Sequence, residues 1–166
     1  KGEILGLLGM NGAGKTTTLE CLEGFLKYEG NISIDGQIAI QSQNESLPAY
    51  MKVSEAITLF SKWKKASLEP QLLKALDLLS IMNKQYQQLS TGQKRRLHLA
   101  LALIGQPDIL ILDEPTAGLD VAGRFALHQI IRQLQKKGVT IVIASHDMNE
   151  VESLCQRIGI LKQGKM

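Results

Sequence analysis

The residues best suited to chemistry stand near the start of the chain. Gly9-Met10-Asn11-Gly12-Ala13-Gly14-Lys15-Thr16 sets three glycines ahead of a lysine and a hydroxyl. This spacing is that of a phosphate-binding loop when it follows a strand and opens a helix. Glycines let backbone N–H groups turn inward around phosphate oxygens, and the helix start adds a partial positive charge. Lys15 would reach the outer phosphates as a mobile cation, and the Thr16 hydroxyl suits Mg²⁺. A glycine-rich turn without a ligand is the plainer alternative, and the complete pattern in its proper context weighs against it. A second group, Ile109-Leu110-Ile111-Leu112-Asp113-Glu114, brings two carboxylates to the end of an apolar run. The carboxyl edge of an open α/β sheet is where ligands bind. There Asp113 would hold magnesium, directly or through water, and Glu114 would act as a general base on an attacking water. Alone, an acidic pair in this position is often only a helix-capping turn.

These residues need a scaffold that places them together. The 166 residues suffice for one ordinary domain. With 44% hydrophobic and 21% charged residues the composition is globular. Lysine and arginine number 19 against 16 acidic residues, and the resulting +3 is too small to argue for nucleic acid. Cys21 and Cys155 lie far apart and suggest no disulfide framework. No apolar run approaches the ~20 residues of a membrane helix, and no signal-peptide layout opens the chain. Residue 1 is Lys, so a piece of a longer chain is expected.

Short apolar runs alternate with amphipathic segments, which is an α/β pattern. Residues 4–8 read as a strand and residues 15–25 as a helix. Residues 31–35 alternate in period two before Asp35-Gly36, a hairpin turn signal, and residues 37–41 would be the returning strand. The segment 52–89 has no β-rich run and reads as a helical insertion, with Leu72, Ala75, Leu76 and Leu79 on one stripe and Pro70 in a first turn. Leu97, Ala100, Leu101 and Ile104 form another stripe, closed by Gly105 and Pro107. Leu127, Ile130, Ile131 and Leu134 mark a further helix ended at Gly138, followed by strands at 139–144 and 157–161. The cluster Lys62-Trp63-Lys64-Lys65 reads as a solvated helix face, and His98 and His128 as ordinary helical histidines.

A third group of residues joins the first two. Leu89-Ser90-Thr91-Gly92-Gln93 precedes Lys94-Arg95-Arg96, and then come Asp113-Glu114-Pro115-Thr116, Ala117-Gly118-Leu119-Asp120 and Ser145-His146-Asp147. In this order the set closely resembles the ATP-binding cassette of ABC ATPases, over nearly the whole chain. The resemblance implies an α/β P-loop NTPase with a mainly parallel sheet flanked by helices, a shortened antiparallel β subdomain and a helical insertion at 52–89 within a single domain, 1–166. It implies ATP and Mg²⁺ as ligands. Gly9, Met10, Asn11, Gly12, Ala13, Gly14, Lys15, Thr16 and Thr17 would hold nucleotide. Glu114, His146 and Gln43 would be catalytic, with His146 as the switch histidine that holds the γ-phosphate and orients Glu114. Thr16, Asp113 and Gln43 would serve the metal. Ser90, Gly92, Gln93 and Asp120 would act toward a second, head-to-tail ABC ATPase domain, identical or not. A plain helix N-cap by Ser90 or Thr91 is the alternative there, and Asp120 can cap the next helix as well. Gln41 and Gln43 both follow the short strand, and the spacing to Leu47-Pro48 and Met51-Lys52-Val53 favours Gln43.

The sequence also departs from the family pattern. Thr91 replaces the glycine commonest in the signature. The link from Gly36 to Gln43 is short, so the antiparallel subdomain must be reduced. The aromatic residue that stacks on adenine normally lies upstream. Tyr28, Tyr50, Tyr86 and Trp63 fall elsewhere in the pattern and read as packing or interface residues. The leading functional expectation is the ATP-hydrolysing subunit of an ABC transporter, peripheral on the cytoplasmic face of a membrane and coupled to a transmembrane permease subunit or domain. No direct nucleic-acid partner is expected. The Thr16–Gly24 stretch and Lys94-Arg95-Arg96 look most like bacterial drug- and antibiotic-export cassettes. A soluble ABC ATPase of translation or DNA maintenance is the alternative, although the compact stretch from Gln43 to Ser90 lacks sustained heptads. A non-catalytic cassette is disfavoured because Glu114 and His146 are both present.

Overall fold

The computed structural model describes residues 1–42 and 46–166. Among the described residues five apolar runs become strands: β1 (Ile4–Leu8), β2 (Ile38–Gln41), β3 (Ile109–Asp113), β4 (Thr140–Ser145) and β5 (Arg157–Ile160). They form one sheet in the order β2-β3-β4-β1-β5, and every ladder is parallel. Parallel pairing requires crossovers that cover the faces. The helices are α1 (Lys15–Leu22), α2 (Val53–Lys64), α3 (Pro70–Ala75), α4 (Thr91–Leu103), α5 (Val121–Lys136) and α6 (Met148–Leu154). The chain therefore has the α/β P-loop NTPase architecture with a parallel sheet flanked by helices.

Strand alternation sorts the core into two layers. Leu110, Leu112, Ile141 and Ile143 pack with Leu97 and Leu101 of α4, Leu127 and Ile131 of α5, and Leu154 of α6. Leu7, Ile111 and Ala144 pack with Leu19 of α1. So α1 covers one face while α4, α5 and α6 cover the other. Between residues 52 and 89 there are α2, α3 and two single 3₁₀ turns, Leu79–Ile81 and Tyr86–Gln88. Val53, Ala56, Leu76, Leu78 and Leu89 of this segment belong to the larger cluster, so the segment shares the central core.

Three expectations need correction. The antiparallel hairpin does not form: residues 31–35 lie in no strand, and β2 pairs in parallel with β3, Ile38 opposite Ile109 and Gln41 opposite Leu112. An edge of β3 left without β2 would leave backbone donors and acceptors unpaired in the core. The link to β3 starts at the strand's foot, where the Gln37 amide donates to Asp108 Oδ2 at 2.9 Å and the Ile109 amide to the Gln37 carbonyl at 3.0 Å. Helix α1 stops at Leu22 and does not run to 25. Gly24, at φ 79°, closes it with the paired bonds of a Schellman motif, Gly24 N to Cys21 O and Phe25 N to Glu20 O. Third, Lys64 is not simply a solvated charge. Its ammonium donates to the carbonyls of Leu101, Ala102 and Ile104, each at 3.1 Å, and so caps the C-terminal end of α4.

One glycine decides how closely a helix can approach. A Cβ on Gly6 would lie 2.5 Å from Val151 Cγ1 and 2.9 Å from Cys155 Sγ. Helix α6 therefore sits on the backbone of β1 with no room for a methyl group. Gly6→Ala is expected to cost about 1–3 kcal/mol through overpacking, read as a fall of several degrees in thermal unfolding. An unchanged Tm would show that α6 can withdraw from the sheet.

Candidate functional site

β4 lies between β1 and β3, and its register fixes the site. Leu8 stands opposite Ser145, and Asp113 opposite Ala144. Gly9, Glu114 and His146 therefore leave the sheet at one edge. The Gly9 amide donates to the Ser145 carbonyl at 3.3 Å and the Glu114 amide to the Ala144 carbonyl at 2.9 Å. In the glycine-rich loop, a Cβ on Gly9 would lie 2.8 Å from the Leu161 carbonyl oxygen. Gly14 begins α1 at φ 105°, a left-handed conformation that favours glycine. Among the described residues no side chain caps this helix end. Its first-turn amides are the kind that bind anions. They border a hollow of about 290 Å³ lined by Asn11, Gly12, Gly14, Lys15, Thr16, Thr17, Asp113 and Glu114.

The polar side chains here form one connected chain. The buried Lys15 ammonium donates to the Gly9 carbonyl at 2.7 Å and lies 3.4 Å from Glu114 Oε1. The other oxygen, Glu114 Oε2, is 2.8 Å from His146 Nδ1. Glu114 has φ 49°, in the left-handed region, directly before a proline. Such backbone costs of order 1–3 kcal/mol and persists where neighbouring structure enforces it. Here the Ala144 bond and the two side-chain partners do so. The carboxylate meets a cation on one side and an imidazole on the other, beside the glycine-rich loop.

Asp113 sits deeper. The Thr16 hydroxyl donates to its Oδ2 at 3.0 Å. Burial pushes the Asp113 carboxyl above its ordinary range and the Glu114 charge adds to this, while the Thr16 bond and Lys15 pull the other way. Its Oδ1 is buried and has no hydrogen-bond partner among the described residues. A carboxylate and a hydroxyl side by side are hard oxygen donors of the type that Mg²⁺ takes, with substrate oxygens and water completing the shell. Among the described residues no group of three His, Cys, Asp or Glu could hold a metal by itself. These two residues would therefore share a cation with the substrate.

The remaining expected residues lie apart from this hollow. Ser90, Thr91, Gly92 and Asp120 line a second one of about 570 Å³, with Gly118 and Leu119, and the two hollows share no residue. Ser90 is an N-cap: its Oγ accepts from the Gln93 amide at 3.2 Å, and the Gln93 side chain accepts from the Ser90 amide at 3.0 Å. Asp120 caps α5, accepting from the Gly123 amide at 2.8 Å. Gln43 lies outside the described residues. Gln41, the other glutamine considered, is buried and donates to the Arg95 carbonyl at 3.2 Å. His98 is a packed histidine, 2.9 Å from the Tyr86 hydroxyl. The buried Glu150 escaped sequence reasoning. Three residues after Asp147, it reads as the glutamate of a capping box on α6. Its side chain instead turns to Ser145 Oγ at 2.6 Å.

The environment of Asp113 has a consequence for stability. A carboxyl raised on folding destabilises the fold where it is ionised, and the loss grows as pH rises from the ordinary carboxylate range through the raised value. Asp113→Asn should therefore raise the Tm of the nucleotide-free protein at neutral pH, and the difference should shrink as pH falls toward ~4. Thermal unfolding across pH tests this; a lower Tm at neutral pH would contradict it.

Comparison with known proteins agrees with this geometry. Residues 1–117 match the ABC transporter family. An uncharacterized ABC transporter ATP-binding protein of Methanocaldococcus jannaschii is 38% identical over 172 residues, covering 99% of this chain and 66% of that protein. The linearmycin resistance ATP-binding protein LnrL of Bacillus subtilis is 35% identical over 187 residues, covering 100% of this chain and 60% of LnrL. The chain thus spans 60–66% of the length of these relatives. An ABC transporter solved in an inward-facing conformation superposes with a TM-score of 0.88 at 27% identity, covering 98% of this chain and 71% of that one. The glycine-rich loop, the paired carboxylates and the histidine meet at one sheet edge, and the chain belongs to the ABC transporter family as an ATP-binding domain.

Proposed function

We propose that this chain binds and hydrolyses MgATP as the cassette of an ABC transporter. The observation that carries the proposal is the position of one buried carboxylate, Glu114, between Lys15 and His146 at the mouth of the phosphate loop. The triphosphate would lie along the first turn of α1, with backbone amides and Lys15 as donors. Lys15 would exchange its bond to the Gly9 carbonyl for one to a phosphate oxygen. Glu114 would then accept a proton from a water attacking the γ-phosphorus, as the bond to the β-bridging oxygen breaks and ADP and phosphate form. His146 would hold Glu114 Oε2 from its Nδ1 and contribute charge stabilisation. Thr16 and Asp113, with Gln43, would hold Mg²⁺, which when bound neutralises charge on the phosphate oxygens.

Separation of the two hollows supports a second cassette. Ser90, Gly92 and Gln93 border no part of the Lys15 hollow within one chain. In a head-to-tail pair they would meet the nucleotide held by the partner, with Asp120 at the joint. Capping α4 does not compete with this role, because a hydroxyl oxygen can accept from Gln93 while its proton is donated elsewhere. Among the described residues no helix is long and apolar enough to cross a membrane. Transport would require a permease domain, with this chain peripheral on its cytoplasmic side. The likeness to LnrL and the Thr16–Gly24 and Lys94–Arg96 stretches favour drug or antibiotic export.

Glu114→Gln should lower ATP turnover about 10²–10⁴-fold, the range of a lost general base, while nucleotide binding persists. In light scattering the same variant should pass from monomer to dimer on addition of MgATP. Unchanged turnover would overturn the role of Glu114. A variant that binds ATP and stays monomeric would overturn self-pairing of this cassette.

A further inference from the structure

Behind the catalytic edge, on the α5 and α6 side of the sheet, lies a buried polar cluster that the proposed mechanism leaves unused. Glu150 of α6 is 5% exposed, Ser145 0% and Thr116 4%. A charged group at this depth is costly unless hydrogen bonds compensate it. Ser145 Oγ donates to Glu150 Oε2 at 2.6 Å. His128 Nε2 of α5 is 3.6 Å from Oε1, a charge contact longer than a hydrogen bond, and Thr116 lies close by. Burial works against ionisation of Glu150, and the nearby His128, Ser145 and Thr116 together outweigh it, leaving the carboxyl below its ordinary range. Glu150 is therefore an anion at neutral pH.

The partners of this anion matter more than their number. Thr116 follows Glu114 by two residues. Ser145 directly precedes His146, and its oxygen also accepts from the Asp147 amide at 3.1 Å. With its proton committed to Glu150, the Ser145 hydroxyl turns a lone pair toward that amide and brackets His146 from both sides. Asp147 in turn caps α6, accepting from the Asn149 amide at 3.0 Å, and its Oδ2 meets Arg124 of α5 at 3.1 Å. One carboxylate thus bonds the segment bearing His146, faces α5, and has Thr116 of the segment bearing Glu114 beside it.

We propose that Glu150 is a positioning residue for hydrolysis, clamping the loops after β3 and β4 so that His146 Nδ1 meets Glu114 Oε2. This rests on the reading of Glu114 and His146 as the hydrolytic pair. The clamp acts through His146 and touches no substrate.

Steady-state ATPase of the intact protein tests it with Glu150→Ala and Glu150→Gln, each made alone and with His146→Ala. Misplacement of a reacting group can cost up to about a hundredfold. A fall of about tenfold or more in kcat is expected for Glu150→Ala, with KM for ATP little changed. Glu150→Gln should recover most of the loss, because its amide oxygen can still accept from Ser145. Once His146 is alanine, Glu150→Ala should cost nothing further. Equal losses in both backgrounds would overturn the proposal in favour of a general structural role. So would normal kcat in Glu150→Ala beside an impaired His146→Ala. Full turnover by His146→Ala would overturn the assignment of the pair, and the clamp with it. If Glu150→Ala does not fold, Ser145→Ala replaces it, with the same expected dependence on His146.

Discussion

The parallel pairing of β4 with β1 on one side and β3 on the other is the constraint on which the site depends. It sets the ends of three strands level, so that loops distant in sequence open at one place. Gly9 belongs to one of these loops, Glu114 to the second and His146 to the third. The two bonds that close the edge, from the amides of Gly9 and Glu114 to the carbonyls of Ser145 and Ala144, both end on β4. The apolar composition of β4 serves this role. Ile141, Ile143 and Ala144 are fully buried, so a slip in register would exchange the two core faces as well as misplace the site.

Around that edge the two faces of the sheet do different work. Asp113 points to the α1 face, where Thr16 meets it. Ser145 points to the opposite face, where Glu150 and α5 lie. Glu114 stands between them in a left-handed backbone conformation, held by a cation and an imidazole. Charge is therefore concentrated in a poorly solvated place. The raised Asp113 carboxyl is the cost of that concentration, and a cation bound with substrate would offset it.

The sequence was most legible where placement depends on local spacing. The glycine-rich loop, the Asp113-Glu114 pair and His146 each lie within a few residues of a strand end, and apolar runs locate strand ends well. The helix end at Gly138 was legible for the same reason. What could not be read depends on partners far along the chain. Residues 31–41 carry a good hairpin signal, yet β3 takes residues 38–41 because its own edge must be paired. Lys64 looks like surface charge until the end of α4 is placed beside it. Glu150 has the spacing of a cap, and only the fold shows that Ser145 occupies the Asp147 amide and frees the carboxylate.

The central claim is that the Lys15 hollow holds the phosphates of ATP. Calorimetric titration of ATP into the intact protein and into Lys15→Ala tests it most directly. A hydrogen bond to a charged group contributes about 1.5–3 kcal/mol, so Lys15→Ala should bind ATP about 10–100-fold more weakly than the parent. Equal affinity in the two proteins would place the nucleotide elsewhere and contradict the assignment of the loop.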